Sequence, residues 1–358
     1  MTDSTRFAKV LKTPEVIALA FGAMIGWSWV LLTGVWLTAA GTIGTLIAFC
    51  VGGLAVTLIG LSYSELASAM PKAGGEHIYT ERALGSRWSF VCTWALLFSY
   101  VNVCMFEAVA LPSAVEYLFP DIRLGTLWNV LGSDVDLGFI LIGIGATALV
   151  TWVNYLGIRT AAILQAVVTG LIVITGVLLI SGAIAFGEAS NAQPWIATPV
   201  SGILIVLIMV PSMLIGFDVI PQSAEEIDLP PNKIGRLLIF SVACAVAWYI
   251  AIAMAVGFGL NADALATTKM ATADAASALW SSSWAGSLLV LGGIGGILTS
   301  WNAFIIGASR VLFALAESGH VPKVFAKLHP KYKTPYVGIL AIGALTMVAP
   351  LFGRTILV

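Results

Sequence analysis

"FGAMIGWSWV", residues 21–30, is the stretch that decides the fold. It lies inside the first long apolar run, yet it sets Gly22, Gly26 and Ser28 where an unbroken helix favours Leu or Ala. The reading that follows is a membrane helix that opens near Gly26. Unpaired backbone at membrane depth is tolerated only where it faces protein or a water-filled cavity, so the opening points to a site.

Composition sets the class around this stretch. Hydrophobic residues make up 59% of the 358, and charged residues only 10%. A spanning helix needs about 20 mostly apolar residues, and such runs recur near 14–40, 43–70, 88–118, 137–156, 160–187, 201–222, 234–260, 284–312 and 335–353. The expectation is an all-α polytopic membrane protein of about nine spans, folded as one transporter domain over 1–358 and surrounded by lipid bilayer. A net charge of −1 offers no basic face for nucleic acid. Cys50, Cys92, Cys104 and Cys244 lack metal-type spacing and read as small core residues. No His-Glu metal motif or Ser-His-Asp set argues for an enzyme, and no cofactor is implied. A channel needs a continuous polar lining, whereas the polar groups here gather at one depth. The oligomeric state is not legible.

Short cytoplasmic loops carry an excess of Lys and Arg. With the N-terminus inside, all of the 17 Lys and Arg fall on the cytoplasmic side except Arg123, Lys269 and Arg354. The expected location is the plasma or inner membrane, multi-pass, with a cytoplasmic N-terminus.

Gly26 lies roughly 18 Å along the helix from Pro14, at about 1.5 Å per residue and near the middle of a ~30 Å hydrocarbon layer. The sixth run contains "PSMLIGFDVIP", residues 211–221, in which Gly216 lies roughly 22 Å from Ser201. Met24-Ile25-Gly26-Trp27 and Leu214-Ile215-Gly216-Phe217 share an apolar residue, Ile, Gly and an aromatic. Pro211 and Pro221 bracket the second break and remove two helix donors. The two runs cross in opposite directions, which predicts an inverted five-plus-five repeat with broken helices 1 and 6. The first unit covers about 14–187 and the second about 201–358, and the second lacks its last helix, so a C-terminally incomplete transporter is expected.

At this point the chain resembles the amino acid, polyamine and organocation superfamily of permeases, which share the leucine-transporter type of fold. The resemblance is carried by "FGAMIGWSWV", by "YSELASAMPKAGGEHIYTERALG" after the second span, by "GFDVIPQSAEEIDLPPNKIGRLLI" leaving the sixth, and by "ASRVLFALAESGHVPKVFAKLHPKYKTPYVGIL" between the eighth and ninth. It implies a secondary transporter for an amino acid or related amine, working by alternating access. Amides around Gly26, Trp27 and Ser28 would hold the substrate carboxylate, and the opened carbonyls of Ile25, Ile215, Gly216 and Phe217 its ammonium. Trp27 and Trp29 depart from the small, Gly-rich sequence usual in relatives. These indoles narrow the pocket or favour an amine without a carboxylate. A polyamine or amine exchanger of the same fold, or a non-transporting binding fragment, are the alternatives.

Asp218 directly follows the second break. A carboxylate inside a span costs about 2.5–3.5 kcal/mol on insertion scales, so Asp218 reads as facing the cavity, with helix capping as the other reading. Tyr100 lies at the same depth and reads either as a ligand for a substrate carboxylate or as a core tyrosine. Glu107, higher on the third span, reads as hydrated near the outer interface. Glu225 and Glu226, near Lys233 and Arg236, read as solvated charges or parts of an inner gate, and His77, His320 and His329 as solvated. Gly296, Thr299 and Ser300 share one helix face. With the Gly22 and Ile25 carbonyls they form a candidate sodium site, the hydroxyls bonding back to their own helix being the bland reading. Sodium is the favoured coupling ion. A proton is the alternative, although the fifth span lacks the lysine that the resemblance associates with it.

Overall fold

The computed structural model describes residues 7–122 and 124–354. Arg6 and Arg123, used in the charge-asymmetry reading, lie outside the described residues.

The chain is helical. The helices are α1 (Thr13–Met24), α2 (Ser28–Leu31), α3 (Thr33–Ala69), α4 (Glu76–Leu84), α5 (Ser86–Leu118), α6 (Leu137–Tyr155), α7 (Ile158–Phe186), α8 (Ser201–Met213), α9 (Val219–Gln222), α10 (Pro231–Gly259), α11 (Ala262–Thr267), α12 (Ala271–Leu279), α13 (Ser283–Glu317) and α14 (Tyr336–Thr346). A short antiparallel hairpin, β1 (Thr126–Val130) and β2 (Ser133–Asp136), joins α5 to α6. Among the described residues, α3, α5, α6, α7, α10 and α13 are long and apolar enough to cross a membrane. Three shorter apolar helices occupy the first, sixth and ninth expected runs. The surface is that of a polytopic membrane protein: Ile174 and Ile184 on α7 are 68% and 82% exposed, and Ile208 on α8 is 78% exposed. Apolar surface on that scale belongs in lipid.

Local chemistry sets the helix ends. Pro14 opens α1, where a missing N–H costs nothing, and Glu15 turns back to accept the Lys12 amide at 3.1 Å. Asp136 caps α6 by accepting the Phe139 amide at 2.8 Å. Gly41, at φ +76°, kinks α3 where the loop before α8 crosses it. A Cβ there would stand 2.6 Å from the Pro194 carbonyl, and the loop is tied down by Ala197 donating to Ala40 and Ile43 donating to Trp195. The boundary between the runs near 14–40 and 43–70 is thus a turn between two helical halves of α3: Thr45 donates to the Trp36 carbonyl at 3.0 Å and the Trp36 and Phe49 rings lie 4.9 Å apart, contacts that a continuous helix would hold well out of reach.

Lipid tails are as apolar as Leu, so these helices associate by close packing and polar contacts rather than by fleeing water. Gly52 and Gly53 let α3 lie against Val210 of α8 and Val246 of α10, the added Cβ distances being only 2.7 and 2.6 Å. At the centre stands α13, buried along most of its length; it packs on α1, α5, α7, α12 and α14. Polar side chains stitch this centre together. Asn154 of α6 donates to Asn302 of α13 at 2.8 Å, and Asn302 donates to Gln165 of α7 at 2.7 Å. Gln165 in turn reaches the Ala18 carbonyl of α1 at 3.3 Å.

Three sequence expectations are corrected by this packing. His77 is buried, between Ser89 and Thr93 at Nδ1 and Ser318 at Nε2 (2.6 Å), because the segment joining α3 to α5 folds against the end of α13. Glu226 is buried as well, in a bidentate pair with Arg310 of α13 (2.9 and 2.8 Å) rather than among Lys233 and Arg236. Its carbonyl also takes the amides of Val10 and Leu11. Glu107 is buried and not at a hydrated rim, because α5 turns it inward onto Ser300 of α13. Counting rise along a helix gives depth but not the face a residue occupies.

Candidate binding site at the paired helix breaks

Helix α1 ends at Met24, Ile25 takes non-helical dihedrals, and α2 starts at Ser28. The second interruption runs from Leu214 to Asp218, between α8 and α9, with Gly216 at φ +122°. The two meet. A Cβ on Gly216 would stand 2.7 Å from the Cβ of Ala23, so only glycine allows this approach. Tyr249 of α10 bridges them: its hydroxyl donates to the Met24 carbonyl at 2.8 Å, lies 3.3 Å from the Met213 carbonyl, and pairs with Ser28 Oγ at 2.9 Å. Carbonyls released by both breaks thus find a partner, as backbone groups in an apolar interior require.

A cavity of about 340 Å³ opens against these breaks. Gly26, Trp27 and Ser28 line it from the first, and Met213 and Ile215 from the second. Phe106 and Glu107 of α5 and Ser300 and Phe304 of α13 close its far side. The walls are mostly apolar with a few convergent polar groups, the usual character of a small-molecule site. A hollow of about 390 Å³ between α7 and α10 is slightly larger, but it opens among Ile180, Ile184 and Phe258 without a polar side chain to orient a ligand.

Of the candidate substrate residues, Gly26, Trp27, Ser28 and Ile215 line the cavity, and Ile25 lies in the first break. Tyr100, Gly216, Phe217 and Asp218 stand behind its wall. Asp218 is buried; one oxygen accepts the Gly216 amide at 2.9 Å and the other the Tyr100 hydroxyl. Phe217 packs edge-on against Tyr63 of α3. The two indoles part company, since Trp27 faces the cavity while Trp29 packs on Trp248 at 5.5 Å.

The candidate cation residues also adjoin one another. A Cβ on Gly296 would stand 2.3 Å from the Gly26 carbonyl and 2.9 Å from that of Ile25, and one on Gly22 would stand 3.1 Å from Thr299 Cβ. Thr299 donates to the Gly296 carbonyl at 3.0 Å, and Ser300 to Glu107 while lying 3.1 Å from the Ile297 carbonyl. The hydroxyls do bond locally, and their lone pairs remain for a cation.

One residue at the breaks escaped the sequence reading and a second was read only in part. Tyr249 sits in "VAWYIAIAMAV", residues 246–256, where one hydroxyl in an otherwise apolar stretch was the available signal. Glu107 was legible by depth alone, near the outer interface; the structure sets it in the cavity wall against Ser300.

A family model described as amino acid permease matches residues 11–355. The chain is 27% identical over 341 residues to Branched-chain amino acid permease BcaP of Bacillus subtilis, across 93% of this chain and 72% of that protein. It is 25% identical over 351 residues to the Methylthioribose transporter of the same organism, across 96% and 76%. Identity to human Cationic amino acid transporter 4 is 26% over 366 residues, across 96% of this chain and 55% of the relative.

Proposed function

The chain belongs to the amino acid permease family, and we propose that it is a secondary active transporter that moves an amino acid or related amine by alternating access. The observation that carries this reading is the seating of Gly216 against Ala23 beside a cavity lined from both breaks. Interrupted helices paired at one depth supply free amides and carbonyls, the polar groups that hold a zwitterion away from water. In this reading the amides near Gly26, Trp27 and Ser28 take the carboxylate. The carbonyls near Ile25 and around Ile215, Gly216 and Phe217 take the ammonium, and Tyr100 and Asp218 join them when the site rearranges. The inverted repeat is the architectural premise, and its support is the matched pair of breaks. The charge asymmetry of the loops supports a cytoplasmic N-terminus.

Sodium is the proposed coupling ion. Its support is the cluster of Gly22, Ile25, Gly296, Thr299 and Ser300, which gathers carbonyl and hydroxyl oxygens beside the first break. Uptake of labelled amino acids into proteoliposomes, measured in sodium and in choline, tests both parts. Saturable, competable uptake that requires sodium is expected. Non-saturable flux would overturn the carrier reading, and equal uptake in choline the sodium site.

A further inference from the structure

Among the described residues, Glu107 is the only ionisable side chain in the cavity wall. The wall also carries three serines, and each is already engaged: Ser28 with Tyr249, Ser212 with the Met209 carbonyl at 2.7 Å, and Ser300 with Glu107 itself. Ser300 satisfies one carboxylate oxygen of Glu107. The other, Oε2, is buried and has no hydrogen-bond partner among the described residues. Glu107 also lies against the first break, since a Cβ on Gly26 would stand 3.6 Å from its Oε1. Apart from Trp27 and the backbone of the breaks, the rest of the wall is apolar, with Met24, Leu31, Val103, Phe106, Met213 and Phe304 offering no hydrogen-bond donor.

A buried carboxylate oxygen without a donor is costly. A cationic ammonium brings both the countercharge and the N–H groups, and charge-assisted hydrogen bonds of this kind are about twice as strong as neutral ones. Opened backbone carbonyls supply only partial charge; Glu107, ionised by a bound cation, supplies a full one. We propose that Glu107 Oε2 is the subsite for the substrate's ammonium group, and that the cavity selects primary amines with a compact apolar remainder, the aliphatic amino acids among them. This rests on the transporter reading above and assigns the amine end of that substrate to α5 rather than to the second break alone.

Three compounds sharing one isobutyl group separate the ends of the ligand: L-leucine, isopentylamine, which lacks its carboxylate, and 4-methylpentanoate, which lacks its ammonium. Each is titrated against the purified full chain, with melting temperature as the readout, in wild type and in Glu107→Gln. The expected result is that wild type binds L-leucine and isopentylamine, and that Glu107→Gln weakens both by at least about tenfold. Isopentylamine bound equally well by wild type and variant would overturn the ammonium subsite and leave the transporter reading standing. So would 4-methylpentanoate binding that depends on Glu107, because the carboxyl group would then be a donor to an anion. Wild type that binds none of the three would overturn the inference and its premise together. A second measurement requires no variant. An apolar carbodiimide should label Glu107 in the wild-type protein, as read by mass spectrometry, and isopentylamine should block the labelling while 4-methylpentanoate does not; equal labelling with and without isopentylamine would sink the assignment.

Discussion

The Tyr249 hydroxyl lies 2.8 Å from the carbonyl of Met24 and 3.3 Å from that of Met213, so one side chain from α10 clips the ends of α1 and α8 together. Ser28 Oγ completes the arrangement at 2.9 Å. Tyr249→Phe keeps the ring, which stacks on Phe49, and removes only the clip. Carbonyls buried without a donor cost about 1–3 kcal/mol. The variant should melt measurably lower and bind amino acids more weakly; unchanged melting and unchanged ligand shifts would show that the breaks hold each other without it.

Gly216→Ala combines an unfavourable backbone conformation with a collision, the new Cβ standing 2.7 Å from that of Ala23. A useful comparison is Gly85→Ala, where φ is also positive but nothing lies within 4 Å. Backbone strain of about 1–3 kcal/mol applies to both, and the clash to Gly216 alone. Transport should survive Gly85→Ala and fail in Gly216→Ala. Equal activity in the two would mean that the breaks need not touch.

The buried Glu226–Arg310 pair is bidentate, and each partner is only 1% exposed. Removing one member strands a charge, at about 3–5 kcal/mol. Arg310→Met should therefore melt far below wild type. The double variant Arg310→Met with Glu226→Leu should regain most of the loss, since two apolar side chains leave no charge behind. A double variant no more stable than the single one would show that the pair is held by something other than its own compensation.

Asp218→Asn preserves shape but not charge. A single amide oxygen then faces the two donors that the carboxylate now accepts, from Gly216 and Tyr100. Uptake should be lost, or persist without its coupling ion. Wild-type uptake with an unchanged pH profile would remove Asp218 from the mechanism.

The segment joining α3 to α5 carries two buried titratable groups of opposite sense. Burial holds His77 below its ordinary value of 6.5. The unfolded chain then binds more protons, so this contribution is present above that pH and is lost as pH falls toward the lowered value. Burial, reinforced by the nearby Asp218 carboxylate, holds Glu76 above the usual carboxylate range. Its contribution is present below the unfolded value and is lost as pH rises through the raised one. Melting temperature measured from about pH 5 to 9 should show His77→Gln flattening the acid side and Glu76→Gln the alkaline side. Variants that merely shift the whole curve would indicate packing effects rather than titration.

What the amino-acid sequence determined by itself was whatever repeats locally along the chain. Apolar runs of spanning length marked the long helices, and the bounds near 43–70 and 160–187 agree with the part of α3 after Gly41 and with Ile158–Phe186 to within a turn. Gly26 and Gly216, flanked by similar residues, announced both interruptions, because glycine and bracketing prolines weaken a helix whatever surrounds it. Which groups meet across the bundle was decided only by the tertiary structure. Helix rotation set it: Glu107 faces Ser300 rather than water, Arg310 finds Glu226, and Tyr249 reaches Met24 across 225 positions of sequence. In an apolar surrounding, rotation follows the packing of small residues and the pairing of the few polar ones, and both depend on partners far away in the chain.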